Sequence, residues 1–201
     1  MESGAQRQEI LTQILSAQGF SNQLDQYTVE NIIGEGSCNP VWLGQHRITG
    51  VKVAIKAIDT SKYQRLSREN QISEGDAMLA VQQSFHVVNF IEEFQHEEQT
   101  YLVTKFVRGG DLLSYLQAHN VDRLEEAHAF HIFSQIARGI HDIHHFNIVH
   151  RDLKHLNIFL SDTSTTPKVR IGDFGMAAHL NDDECIKKVA GTIGFMAPEV
   201  V

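Results

Sequence analysis

The run His150-Arg151-Asp152-Leu153-Lys154-His155-Leu156-Asn157 constrains this chain more than any other stretch. It is too polar for a buried strand and stands between two patterned segments. Upstream, Phe133, Ile136, Ala137, Ile140 and Ile143 repeat at helical spacing, which predicts a helix over 125–145 with that stripe buried. Downstream, Asn157 to Leu160 and Lys168 to Ile171 read as a small hairpin around the polar loop Ser161 to Pro167. The octapeptide therefore reads as a loop between a helix and a hairpin. Asp152 is a carboxylate placed to take a hydroxyl proton, and Lys154 can hold a phosphoryl oxygen. Asn157 and the later Asp173 can hold magnesium. Phosphoryl transfer needs positioning and charge neutralisation more than covalent help, which is why these residue types occur together.

The first half of the chain has a different period. Tyr27 to Ile33, Val41 to His46 and Val51 to Ile58 are rich in β-branched residues and read as three successive strands. Period two puts Ala54 and Lys56 on one face of the third strand, with Val53 and Ile55 on the other. Thr100 to Val107 reads as a further strand. Residues 65–83 are patterned as a helix by Leu66, Ile72, Met78, Leu79 and Val81. Ahead of the strands, Ile10, Leu11, Ile14 and Leu15 mark a short amphipathic helix over 7–18, ending at Gly19.

Four further signatures stand in order along the chain: Gly34-Glu35-Gly36 after a strand, Val53-Ala54-Ile55-Lys56, Asp173-Phe174-Gly175 and Ala197-Pro198-Glu199. With the octapeptide they resemble the eukaryotic protein kinases from Tyr27 to Val201. The resemblance implies an α+β fold of two lobes: a β-rich lobe with its hinge over 27–107, and a partial helical lobe over 108–201. Residues 1–26 form an extension.

The same resemblance implies roles. ATP would lie against Ile33, Gly34, Glu35, Gly36, Ser37, Val41, Ala54, Lys56, Thr104, Phe106, Val107, Asp111 and Phe159. Lys56 would reach the α- and β-phosphates, with Glu74 as its partner and Asp76 or Glu69 as alternatives. Thr104 would stand beside adenine, Phe106 and Val107 would offer backbone groups, and Asp111 would bond the ribose. Asp152 would be the base and Lys154 would neutralise the transferring group. Asn157 and Asp173 would bind two magnesium ions. Thr192 would bond Asp152 or Lys154 within a segment that holds a peptide substrate. Lys154 resembles the serine/threonine type. Phe159 and the run 109–112 look most like the NIMA-related kinases.

The chain also departs from the pattern. Asn39 stands at the third glycine of the Gly-rich loop and Pro40 follows it. Proline lacks an N–H and restricts the residue before it to extended backbone, so a reshaped or weaker phosphate loop is expected. In such kinases the residue at Arg151 commonly pairs with a phosphate, yet 176–191 holds no Ser, Thr or Tyr. Asp182-Asp183-Glu184 either substitutes for that charge or forms a solvated turn. The last residue, Val201, comes two after Glu199, whereas the resemblance implies more helices. A truncated chain is expected, with the 133–143 stripe partly uncovered. Two functions follow: a serine/threonine kinase acting on protein substrates with Mg-ATP, or an inactive kinase-like module that binds nucleotide or protein.

Composition removes other classes. The net charge of −8 over 201 residues argues against nucleic acid as a partner. No apolar run approaches a membrane span, and Met1 to Gly4 lack signal-peptide character. Two cysteines, Cys38 and Cys185, point to a reducing cytosolic or nuclear setting. Among the twelve histidines, the groups 128/131 and 141/144/145 have helical spacing, but no cysteine or carboxylate cluster completes a zinc site.

Overall fold

The three β-branched runs form the strands that their period predicts: β1 (Tyr27–Glu35), β2 (Pro40–His46) and β3 (Lys52–Asp59). With β4 (Phe90–His96) and β5 (Gln99–Lys105) they make one sheet in the order β1-β2-β3-β5-β4. The computed structural model describes residues 22–35, 40–59, 72–119, 123–180 and 189–200. The expected helix over 7–18, Gly36, Ser37, Cys38, Asn39, Glu69, the Asp182-Asp183-Glu184 turn and Cys185 lie outside those residues.

The register decides which side chains share a face. Val41 stands opposite Lys56, and Ala54 opposite Thr104. Alternation then puts Val41, Ala54, Lys56 and Thr104 on one face of the sheet. The other face holds a core of Tyr27, Val53, Ile55, Phe94 and Val103, with Leu24 and Tyr101 against it. Burying each aliphatic side chain there stabilises the unit by about 1.5–3 kcal/mol. The Tyr27 hydroxyl donates to Glu92 at 2.6 Å, and burial first, then this carboxylate, pushes its pKa upward. Pro40 opens β2 opposite Glu35, the end position where a missing N–H costs the ladder least. Register shifts between Val29 and Asn31 and between Ile32 and Gly34 leave Glu30 and Ile33 as extra residues on β1.

The chain divides into two compact units. Of the described residues, 22–59 and 91–106 form the first, and 72–90 and 107–200 the second. The division is not a single cut at 107. The segment 72–90 groups with the second unit because His86 and Val88 bond the backbone of Ile171, at 2.8 and 2.9 Å. Arg170 Nη1 adds a bond to the Val87 carbonyl at 2.9 Å.

Among the described residues, the α-helices lie in the second unit. The described part of the expected 65–83 helix is α1 (Glu74–Ala80), whose N-cap Ser73 accepts from the Asp76 N–H. Next come α2 (Leu112–Ala118) and α3 (Glu126–His145), and then β6 (Ile148–Val149). β7 (Ile158–Leu160) pairs antiparallel with β8 (Val169–Ile171), which is the predicted hairpin, and β6 pairs with β9 (Ala178–His179). One unit built on a sheet and another that carries the α-helices make an α+β fold.

The face of α3 differs from its prediction. Ile132, Gln135, Gly139 and Ile143 are the buried positions, while Phe133 is 66% exposed and Ala137 is exposed too. The period is right and Ile143 is buried as expected, but the buried line otherwise runs through 132, 135 and 139, one residue before 133, 136 and 140, of which Ile136 and Ile140 are half-buried. The Gln135 amide explains this: its Oε1 accepts from Val169 N–H at 3.1 Å and its Nε2 donates to the Pro167 carbonyl at 3.1 Å. Gly139 explains the rest, since a Cβ there would come within 2.9 Å of Ile171 Cδ1 and 3.0 Å of His86 Cβ. A glutamine and a glycine face inward, and neither counts as an apolar position in a sequence pattern. Among the described residues, no helix is long and apolar enough to cross a membrane.

Candidate active site

The octapeptide folds as a loop after β6, closing with a 3-10 turn at His155–Asn157. The turn brings Asn157 back on Asp152, where its Nδ2 donates to the Asp152 carbonyl at 2.8 Å and to Oδ2 at 3.2 Å. Lys154 Nζ donates to the same Oδ2 at 2.8 Å. The Thr192 hydroxyl donates to Asp152 Oδ1 at 2.6 Å and accepts from Lys154 Nζ at 2.8 Å. Thr192 therefore bonds both of its expected partners. The Asp152 side chain is 9% exposed and accepts three hydrogen bonds. A carboxylate has about four acceptor positions, so one remains for an incoming hydroxyl.

Thr192 reaches this place because Gly191 precedes it. Gly191 has φ +131°, and a Cβ there would lie 2.6 Å from the Arg151 carbonyl oxygen. Only glycine permits both the conformation and the approach.

Asp173 is fixed from the same loop. The Gly172 N–H donates to the Asn157 carbonyl at 2.9 Å. His150 Nε2 donates to the Gly172 carbonyl at 3.0 Å, and its Nδ1 accepts the Asp152 N–H at 3.3 Å. Only the neutral Nε2–H imidazole can do both. Burial, the largest influence, holds the His150 pKa below its usual value; the Gly172 bond and the Asp173 and Asp152 charges pull the other way. Phe174 is fully buried and packs on His150, with ring centroids 4.8 Å apart. Asp173 itself has φ +61°, a left-handed conformation that aspartate tolerates better than most residues.

Magnesium fits this donor set. Asn157 spends its amide nitrogen on Asp152, which turns Oδ1 the other way, and Asp173 supplies a carboxylate. Both are hard oxygen ligands. Mg²⁺ commonly takes one or two such groups and completes its shell with phosphate and water. Among the described residues, no group of three or more His, Cys, Asp or Glu is gathered for a metal. His131 Nε2 instead contacts the Pro167 carbonyl at 3.0 Å, and His128 faces the Tyr115 hydroxyl.

The expected nucleotide residues are divided between the units. In the first, Ala54, Lys56, Val41 and Thr104 share their sheet face, Gly34 lies opposite Val41, and Ile33 is 40% exposed on its bulge. The Phe106 N–H donates to Lys52 O at 3.2 Å, so that group is engaged within its own unit. In the second, Val107 accepts from Gly110 N–H at 3.3 Å. The Asp111 carboxylate caps α2, taking the Ser114 N–H at 2.9 Å and hydroxyl at 2.6 Å. Phe159 lies against Gly172, where a Cβ would meet its ring at 2.9 Å. Glu74 is buried at the start of α1, whereas Asp76 is drawn into the Ser73 cap at 2.7 Å.

The sequence reading gave no roles to His150, Gly172 and Gly191. Their partners are distant in the chain, so no local spacing points to them. Arg151, at the position that commonly pairs with a phosphate in such kinases, donates from its Nε to the Met176 carbonyl at 2.6 Å.

The protein kinase domain profile matches residues 27–201, and the chain belongs to that family. It is 33% identical over 175 residues to "Serine/threonine-protein kinase ATG1a" of Arabidopsis thaliana, covering 87% of this chain and 28% of the relative. It is 34% identical over 180 residues to "Probable serine/threonine-protein kinase zyg-1" of Caenorhabditis elegans, covering 89% and 24%. "SNF1-related protein kinase catalytic subunit alpha KIN12" of Arabidopsis thaliana is 32% identical over 178 residues, covering 89% and 35%. The chain spans about a quarter to a third of the length of these curated relatives.

Proposed function

We propose that this chain is the ATP-dependent catalytic part of a serine/threonine protein kinase, moving the γ-phosphate of Mg-ATP to Ser and Thr hydroxyls of protein substrates. The observation that carries the reading is the Asp152 carboxylate, held by Lys154, Asn157 and Thr192 at 2.6–3.2 Å. Its remaining acceptor position orients the substrate hydroxyl and receives its proton. Lys154, 2.8 Å from Oδ2, offsets charge on the group in transfer. Asn157 and Asp173 would hold magnesium, which when bound would supply charge neutralisation for the phosphates. Lys56 serves the α- and β-phosphates, with Glu74 as its supporting carboxylate. Phe159 and Ala54 serve the adenine ring, and Asp111 the ribose through acceptor capacity left beyond its cap.

Transfer of labelled γ-phosphate from Mg-ATP to a generic Ser/Thr protein tests this, with Asp152→Asn in parallel. Wild type transfers label and the variant loses about 100-fold or more. Label transfer that survives in the variant overturns the role of Asp152. None in either favours the second reading, a nucleotide- or protein-binding module, for which the Asn39-Pro40 departure is the sequence support.

A further inference from the structure

The sheet face that carries the core of the first unit ends at β1 in exposed side chains. Ile32 stands opposite Trp42, and Trp42 opposite Ile55, so all three share the core's side of the sheet. Val29 joins them opposite Gly44, which pairs with Val53 and has no side chain to cover it. Val29 and Ile32 are 52% and 54% exposed, and Trp42 is half-buried. Single exposed apolar residues are ordinary, but neighbours on one face mark a contact surface. β1 is also an edge of its sheet, yet the extra residues Glu30 and Ile33 interrupt it, so the edge is a poor template for a further strand. Cover therefore comes onto the face.

An apolar segment is tethered beside it. Leu24 packs against the core of this same face, and the chain ahead of it carries Ile10, Leu11, Ile14 and Leu15. At helical spacing these four lie on one side, with Glu9 and Ser16 opposite. A helix over 7–18 is about 18 Å long. Residues 19–23 reach about 17 Å when extended, enough to turn the segment back along β1, where Val29 to Ile32 spans about 10 Å. We propose that residues 7–18 dock as a helix on this face, with Ile10, Leu11, Ile14 and Leu15 over Val29, Ile32 and Trp42. The docking lies within the first unit and stands whether or not the chain transfers phosphate.

Trp42 is the only tryptophan of the chain, so its fluorescence reports on this face alone. In the full chain, Ile14→Asp puts a charge into the contact and Ser16→Asp puts the same charge on the opposite side. Acrylamide quenching of Trp42 is expected to rise about twofold in Ile14→Asp, with emission shifted to the red, and to match wild type in Ser16→Asp. Ile14→Asp is also expected to lower Tm by about 3 °C, and that loss disappears when Ile32→Asp is already present, because the two residues share one contact. Equal quenching in wild type and Ile14→Asp overturns the docking. So does a full further loss of Tm in the double variant, which would place the segment elsewhere. Wild-type quenching that falls as protein concentration rises, with a dimer in light scattering, makes a second copy the occupant and overturns it too.

Discussion

Thr192 shows how much one side chain can organise. Its hydroxyl donates to Asp152 and accepts from Lys154, so it fixes both groups at once. A hydrogen bond to a charged group contributes about 1.5–3 kcal/mol, so Thr192→Ala is expected to lower kcat about tenfold or more. Thr192→Ser keeps the hydroxyl and is expected to recover most of that loss in steady-state kinetics. Equal loss in both variants would mean that the methyl group's packing matters and the hydroxyl does not. Asp152, Lys154 and Asn157 were legible in the sequence because they lie within one loop, where spacing alone nearly sets geometry. His150 was not, because its partner Gly172 lies 22 residues away.

At the scale of elements, α3 is the instructive case. Its period was legible and its face was not, since Gln135 and Gly139 are chosen for what they touch and not for apolarity. Gln135→Leu makes the buried face of α3 more apolar, yet it removes the partner of the Val169 N–H and weakens the hold on the Pro167 carbonyl. An unsatisfied buried polar group costs about 1–3 kcal/mol, so the variant is expected to be less stable by about 2 kcal/mol in denaturant titration. A stability equal to wild type would show that water or a backbone shift satisfies β8 instead. The hairpin β7–β8 was legible for the opposite reason: two short apolar runs flank a polar loop.

The pH response belongs to the whole folded molecule, because it compares that state with the unfolded chain. His150 is kept neutral by burial, so its folded pKa lies below the unfolded value of about 6.5. Between those two values the unfolded chain binds more protons, and stability therefore rises with pH. The contribution is complete above about pH 7 and is lost as pH falls through 6.5 toward the folded value. Thermal melts from pH 7.5 to 5.5 should show a larger loss of Tm in wild type than in His150→Gln. Parallel curves would remove His150 from the acid response.

The sequence by itself determined the kinds of element, the period of each and the loop that gathers Asp152, Lys154 and Asn157. These depend on neighbours within a few residues, where backbone geometry leaves little choice. Only the tertiary structure decided which face of α3 is buried, that residues 72–90 group with the second unit through β8, and that Arg151 meets a carbonyl. Those outcomes depend on contacts between distant segments, and packing and hydrogen-bond satisfaction settle them after the local pattern has been spent.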